Sequence, residues 1–274
     1  MAFWFSGIPI LVALPLFAAL FAVLAVAAHM VVRHFFAPDR LAPQHEVAGF
    51  IVSVVGVLYS VVLGFLVGTV WQNFSTAQDT TNKEAAYVGD AFNFAGLLVE
   101  PERKRLQKMI ARYAFDVRNV EMVSMEKNSA DGDALEQLND AVKLTVSMPQ
   151  PLPGKGVSAE LESNGIRTEL LDSLRNLGDS RRVRLVESQD RLPAGMLEAL
   201  ILGAVMVVAF VFFFGMKSAL KQMALTALLA ASIGLFFGLV VELSTPYSGA
   251  IRVSPSAWDD VIANNHLANF TAPR

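Results

Sequence analysis

The side chains able to do chemistry are few and widely spaced. Four histidines occur, at positions 29, 34, 45 and 266, and there is no cysteine. His29 and His34 both lie near the end of the first long apolar segment, five residues apart. At this spacing the two imidazoles point about 140° apart around an α-helix, so they cannot share one metal ion on a continuous helix. We therefore predict two separate histidines near a membrane interface and no metal site.

The acidic residues give no better indication of catalysis. Glu198 and Glu242 are the only acids within or next to the last two apolar segments, and each lies near a predicted membrane interface, where hydration makes a charge tolerable. Asp131-Gly132-Asp133 resembles part of a calcium-binding loop but lacks the remaining ligands, so a turn between helices is the better interpretation. Serine-hydrolase, zinc-protease, Walker A and dinucleotide-binding motifs are missing from the sequence. We predict no enzymatic activity and no cofactor.

Composition and the distribution of charged residues divide the chain into apolar parts and one water-soluble part. The chain has 274 residues, of which 54% are hydrophobic and 17% charged, against about 25% charged residues in soluble domains. Residues 72–193 contain 35 of the 47 charged residues. This division predicts a membrane protein with a water-soluble insert. The net charge of −3 provides no basic surface for nucleic acid.

Four apolar segments are long enough to cross about 30 Å of hydrocarbon. We predict spans at about 9–32, 48–71, 194–216 and 222–241. The chain then divides into a first transmembrane hairpin (1–71), an extramembrane domain (72–193), a second hairpin (194–243) and a C-terminal tail (244–274). Apolar positions in the domain, such as Leu106, Ile110 and Leu170, follow helical spacing, so it is predicted to be helical.

The side of the membrane that carries the insert is ambiguous from the charges. Basic residues in the short loops favour an extracytoplasmic insert under the positive-inside rule; they are Arg33, Arg40, Lys217 and Lys221. Basic residues that precede the third span favour the opposite side; they are Arg181, Arg182, Arg184 and Arg191. The orientation therefore stays open.

Two spans carry small residues every four positions, a spacing that allows helix backbones to approach closely in lipid. The second span contains Gly56, Ser60, Gly64 and Gly68, and the fourth contains Ala230, Gly234 and Gly238. Packing within the chain is the simpler explanation for the fourth span. The second span has another face, formed by Leu58, Val62, Phe65 and Thr69. From the residues alone, that face could contact lipid or line a hydrophobic constriction of a pore.

Two stretches carry a family resemblance. HEVAGFIVSVVGVLYSVVLGFLVGTVWQNFSTAQDTTNKEAA (His45–Ala86) resembles the signature of the bestrophin-like bacterial membrane proteins (DUF4239), and TPYSGAIRVSP (Thr245–Pro255) is similar to their closing motif. With the four-span layout, the resemblance covers about residues 9–258, and the similarity to bestrophins themselves is looser. Those are pentameric anion channels with a cytosolic helical region and a neck lined by the second span. The chain departs from them in lacking charges between Trp71 and Ser75 and in lacking an acidic calcium clasp after the last span, where only Asp259 and Asp260 occur.

The sequence therefore predicts an all-α integral membrane protein with four transmembrane helices and a helical extramembrane insert between the second and third. The resemblance implies a homo-oligomeric channel in the inner membrane, with inorganic anions as permeant ions and with the Leu58–Thr69 face lining the pore. It also implies a cytosolic insert. The alternative function is a non-conducting sensor or scaffold whose insert binds a ligand or a partner.

Overall fold

The computed structural model describes residues 9–35, 45–125, 132–148, 157–189, 192–212 and 218–271. The described residues form helices and connecting turns without a β-strand, which confirms the predicted all-α class. The helices are α1 (Ile10–Phe35), α2 (His45–Gly96), α3 (Glu102–Asp116), a π-helix (Val117–Glu121), α4 (Met122–Met125), α5 (Ala134–Ser147), α6 (Val157–Gln189), α7 (Ala194–Phe212), α8 (Ala219–Leu243), α9 (Ser256–Asn264) and α10 (Ala268–Thr271).

Four helices are long and apolar enough to cross a membrane, as predicted. Three of them, α1, α2 and α8, correspond to the first, second and fourth predicted spans. The other ends with α7, which covers the third predicted span as far as Phe212, and residues 213–216 of that span lie outside the described residues. The helix of the second span extends beyond the predicted membrane segment, because α2 continues without interruption to Gly96. The C-terminal segment, interpreted from sequence as a tail, contains α9 and α10.

The chain divides into two compact units. The first, which we call the membrane unit, comprises residues up to 74 together with 191–245 and 249–251. Its apolar core combines residues of α1, α2, α7 and α8, including Phe17, Leu66, Leu200 and Phe237. The ring centroids of Phe21 and Phe237 lie 5.2 Å apart. Helix α8 begins at an N-cap, where Ser218 Oγ accepts a hydrogen bond from the Lys221 backbone N–H.

The second, which we call the helical unit, comprises residues 75–190, 246–248 and 252–274. The apolar positions that follow helical spacing in the sequence are in its interior: Leu106, Ile110, Tyr113, Val117, Leu170, Leu174 and Leu177 are buried. Trp258 of α9 is completely buried, and its ring centroid lies 6.3 Å from that of Tyr113. Helix α9 therefore contributes to the core of this unit.

Candidate functional site

The candidate pore face of α2 is exposed in the chain. The side chains of Leu58, Val62 and Phe65 are 63%, 52% and 75% exposed. The Thr69 hydroxyl donates to the Phe65 backbone carbonyl at 2.9 Å, which satisfies this polar group within the helix. Beside this face runs a groove of about 610 Å³ that ends at Gln72 and Asn73. Large apolar side chains are therefore presented to lipid or to another molecule.

The small residues of α2 border a second groove. Gly56, Ser60 and Gly64 line a mostly apolar groove of about 440 Å³, together with α7 and α8 residues that include Val207 and Phe236. A methyl group added at Gly56, Gly64 or Gly68 would meet no atom of another described element within 4 Å. These glycines therefore leave open space within the described part of the chain.

The small residues of α8 have a different environment. Ala230 is 1% exposed. A methyl group at Gly234 would lie 2.7 Å from the Phe17 backbone oxygen, and one at Gly238 would lie 2.7 Å from the Phe17 ring. The backbones of α1 and α8 thus approach closely where glycine removes the side chain.

One of the sequence-predicted interfacial histidines has an environment that the sequence did not indicate. His29 is 2% exposed, and its ring lies 5.2 Å from that of Phe212. His34 is exposed. The helical face of His29 packs inside the membrane unit, and the location of both histidines near a membrane interface stays a prediction. Among the described residues, no group of three or more histidine, aspartate or glutamate side chains could hold a metal ion.

A buried ion-pair cluster lies in the helical unit. Arg184 of α6 is fully buried and donates to both carboxylate oxygens of Glu84, at 2.5 and 3.1 Å. It also donates to Glu121 at 2.7 Å, and Arg181 donates to the other oxygen of Glu121 at 2.5 Å. Tyr113 donates to Glu84 at 2.6 Å. Two guanidinium groups and two carboxylates thus neutralise one another among α2, α3, the π-helix and α6.

The electrostatics of this cluster favour the charged arginine. Burial alone would lower the pKa of the Arg184 guanidinium, but the adjacent Glu84 carboxylate outweighs that effect and raises it. Burial, followed by the charge of Glu84, raises the pKa of the Tyr113 hydroxyl well above its usual range. Tyr113 is therefore a neutral hydrogen-bond donor. Sequence reasoning missed the cluster, since Arg181 and Arg184 were interpreted only as charges that flank a span.

The segment after α8 is fixed in both units by specific hydrogen bonds. In the membrane unit, Glu242 is 2% exposed, and its carboxylate accepts a hydrogen bond from the Ala250 backbone N–H at 2.7 Å. Gly249 has a φ of +99°, and a methyl group there would lie 2.8 Å from the Glu242 carboxylate. In the helical unit, the Tyr247 hydroxyl donates to the Ala77 backbone carbonyl at 3.1 Å. Glu242 thus has a structural role that the sequence did not indicate.

Comparison with known proteins gives a consistent family assignment. The family described as the Bestrophin-like domain matches residues 19–258. No curated protein matches the chain.

Solved structures share the fold at low sequence identity. A crystal structure of a bacterial bestrophin homologue from Klebsiella pneumoniae has a TM-score of 0.60 and 14% identity, with 95% of this chain and 98% of that chain covered. A single-residue variant of that homologue has a TM-score of 0.63 and 14% identity, with 93% of this chain and 96% of that chain covered. A crystal structure described as that of a membrane protein variant has a TM-score of 0.64 and 14% identity, with 93% of this chain and 99% of that chain covered. These structures show that the fold is shared. The family match over residues 19–258, together with four long apolar helices, shows that this multi-pass membrane protein belongs to the bestrophin-like family.

Proposed function

We propose that the chain forms a homo-oligomeric ion channel in the inner membrane, with α2 lining the pore. The observation that carries this proposal is that two sides of α2 are left uncovered within one chain. Its large apolar face is exposed, and its glycines leave open space on another side. Several copies around a common axis would use both features, because neighbouring subunits would cover the glycines and the apolar face would surround the axis.

Phe65 is the best candidate for the constriction. Its side chain is 75% exposed, and the helix carries Leu58, Val62 and Thr69 along the same face. A ring of phenylalanine side chains excludes water, and a dewetted apolar ring blocks ions without any charge. The resemblance to bestrophins implies inorganic anions as the permeant species.

Planar-bilayer recording of the purified full-length protein tests this proposal. We expect current from the wild type and a larger current from Phe65→Ala, because a smaller ring lets water persist. Leu11→Ala is a matched control, since Leu11 is an exposed apolar residue of another membrane helix, and its current should equal that of the wild type. Unchanged current in Phe65→Ala would remove this residue from the gate. No current from verified oligomers would favour the sensor or scaffold.

Assembly can be tested separately. Gly64→Leu fills the open space beside α2 and should break the oligomer or lower its yield. Wild-type assembly size and melting temperature for both Gly64→Leu and Gly68→Leu would show that this side of the helix faces lipid. A closed ring in particle images of the wild type would support the channel, and a monomer or dimer would contradict it.

A further inference from the structure

Polar side chains are buried in the membrane unit where α1 ends and α8 begins. His29 of α1 and both Gln222 and Thr226 of α8 are buried. The Thr226 hydroxyl donates to the Gln222 backbone carbonyl at 2.9 Å. Arg33 of α1, which is partly buried, donates from Nη1 to the Gln222 side-chain carbonyl at 3.2 Å. We call these four residues the α1–α8 polar cluster, and Arg33 connects it to the surface of the unit.

The charge of Arg33 has no acidic partner among the described side chains. Helix α1 contains neither aspartate nor glutamate, and the single acids of α7 and α8, Glu198 and Glu242, lie at the opposite ends of their helices. The acceptor for Arg33 is a neutral amide, which does not compensate a positive charge. Lys221 is exposed in the first turn of α8, where the positive end of the helix dipole also lies. This end of the membrane unit is therefore positively charged.

His29 provides a buried hydrogen-bond donor without an acceptor. Neither of its ring nitrogens forms a hydrogen bond with any residue that the structure describes. His29 precedes Arg33 by four residues, so both side chains lie on one side of α1, and the His29 ring is 5.2 Å from that of Phe212 in α7. At 1.5 Å per residue, the imidazole lies about 6 Å further from the end of α1 than the guanidinium. A ligand of Arg33 that also carries an acceptor at this depth would satisfy the imidazole.

We infer that the α1–α8 polar cluster binds the head group of an anionic phospholipid. Arg33 and Lys221 hold the phosphate beside the N-terminus of α8, and His29 donates to an ester carbonyl on the acyl side of the phosphate. A guanidinium matches the geometry of phosphate oxygens, and basic sites between transmembrane helices are typical of head-group binding. A free phosphate ion offers no second acceptor at the depth of His29, so the order of the polar groups favours a lipid.

The expected changes in affinity follow from the type of contact that is lost. Loss of a hydrogen bond between charged groups weakens binding by about ten-fold or more. Loss of one basic residue that attracts an anionic head group through its charge weakens binding by about five-fold. Arg33 makes the first kind of contact and Lys221 the second.

The test is lipid binding to the delipidated full-length protein in a neutral detergent. Phosphatidylglycerol is the probe, with phosphatidylcholine and inorganic phosphate as comparisons; native mass spectrometry counts bound lipid, and the melting temperature is measured at each concentration. The apparent Kd for phosphatidylglycerol should rise by about ten-fold or more in Arg33→Gln and by about five-fold in Lys221→Gln. Lys108→Gln, which neutralises an exposed residue of α3 in the helical unit, is the matched control and should leave the Kd unchanged.

His29→Leu tests the deeper contact. This variant removes both ring nitrogens, and replacing an unpartnered buried polar group with an apolar one should not lower the melting temperature of the lipid-free protein. Its affinity for phosphatidylglycerol should fall. A lower melting temperature of the lipid-free protein together with unchanged affinity would assign His29 to packing alone and overturn the contact with the lipid.

Three results would overturn the lipid site as a whole. They are an unchanged Kd in both Arg33→Gln and Lys221→Gln, equal binding of phosphatidylglycerol and phosphatidylcholine, and an equal rise in melting temperature with inorganic phosphate, which would indicate a site for free anions. Lys221 is exposed, so its variant keeps the test decisive if Arg33→Gln does not fold. No current is measured, so the result does not depend on the proposed channel.

Discussion

Removal of the Arg184 side chain should destabilise the helical unit strongly. In the structure this guanidinium is fully buried and contacts both Glu84 and Glu121. Arg184→Met fills much of the volume but leaves one uncompensated negative charge in the interior. Loss of one partner from a buried ion pair lowers the free energy of unfolding by about 3–5 kcal/mol. For a chain of this size, that corresponds to a decrease in melting temperature of roughly 6–20 °C.

The assay is thermal unfolding of the purified full-length protein in detergent. Arg182→Met is the matched control, because Arg182 lies two positions before Arg184 on α6 but is 77% exposed, and its salt bridge is to Asp179. An exposed pair of this kind contributes at most about 1 kcal/mol, so the control should melt close to the wild type. A melting temperature of Arg184→Met equal to that of Arg182→Met would refute the importance of the buried pair.

A double variant tests the electrostatic reason for the loss. Glu84→Gln/Arg184→Met removes one charge of each sign and leaves the pair of Arg181 and Glu121 intact, so the interior is neutral again. The amide that replaces the Glu84 carboxylate retains an oxygen that can accept the hydrogen bond from Tyr113. We expect the double variant to be more stable than the sum of the two single effects predicts, by about 0.5–3 kcal/mol. Strict additivity would show that lost packing, and not uncompensated charge, explains the destabilisation.

For three further substitutions, the structure predicts the direction of the change in melting temperature. Gly234→Ala should lower the melting temperature because of the nearby Phe17 backbone oxygen. Gly165→Ala, at an exposed position of α6 with open space around it, should not lower it; equal decreases would contradict the difference in packing. Gly249→Ala should destabilise the segment after α8, because its φ of +99° and the adjacent Glu242 carboxylate both disfavour a side chain; a wild-type melting temperature would contradict this. Burial, and then the charge of Glu121, raises the pKa of Asp116, so the carboxyl binds a proton more tightly in the folded state and stability falls as pH rises from about 4 through the raised pKa. The melting temperature of Asp116→Asn relative to wild type should therefore increase over this pH range, and a constant difference would contradict the assignment.

The four spans and the helical insert could be predicted because burial in lipid and burial in a helical core both select residues by hydrophobicity. The stripe that includes Leu106 and Ile110 is a property of local spacing, and the structure places both in the core. The continuity of α2 to Gly96 was also partly visible, since no proline or glycine pair interrupts the helix after the span. These features depend on residues close together in the chain.

The buried cluster could not be predicted in this way. Glu84 and Arg184 are 100 positions apart, and their pairing depends on how α2 and α6 pack. The π-helix that carries Glu121 has a shifted hydrogen-bond pattern in the backbone, which no residue type specifies. His29 illustrates the same limit, because an imidazole near the end of a span can be solvated or buried depending on which neighbour its helical face meets. Side-chain partners from distant elements decide the pairing of Glu84 with Arg184 and the burial of His29.

The two glycine stripes show why a motif alone does not define an assembly. Both have a spacing of four residues, and from sequence both permit close helix packing. In the chain, the α8 stripe packs against α1, with Phe17 close to Gly234 and Gly238. The α2 stripe has no such neighbour in the described structure, and a helix that presents glycine to lipid loses van der Waals contacts that a larger side chain would make. In the proposed oligomer, contact with another subunit would restore these contacts, so the spacing that stabilises the fold in α8 would favour association between subunits in α2.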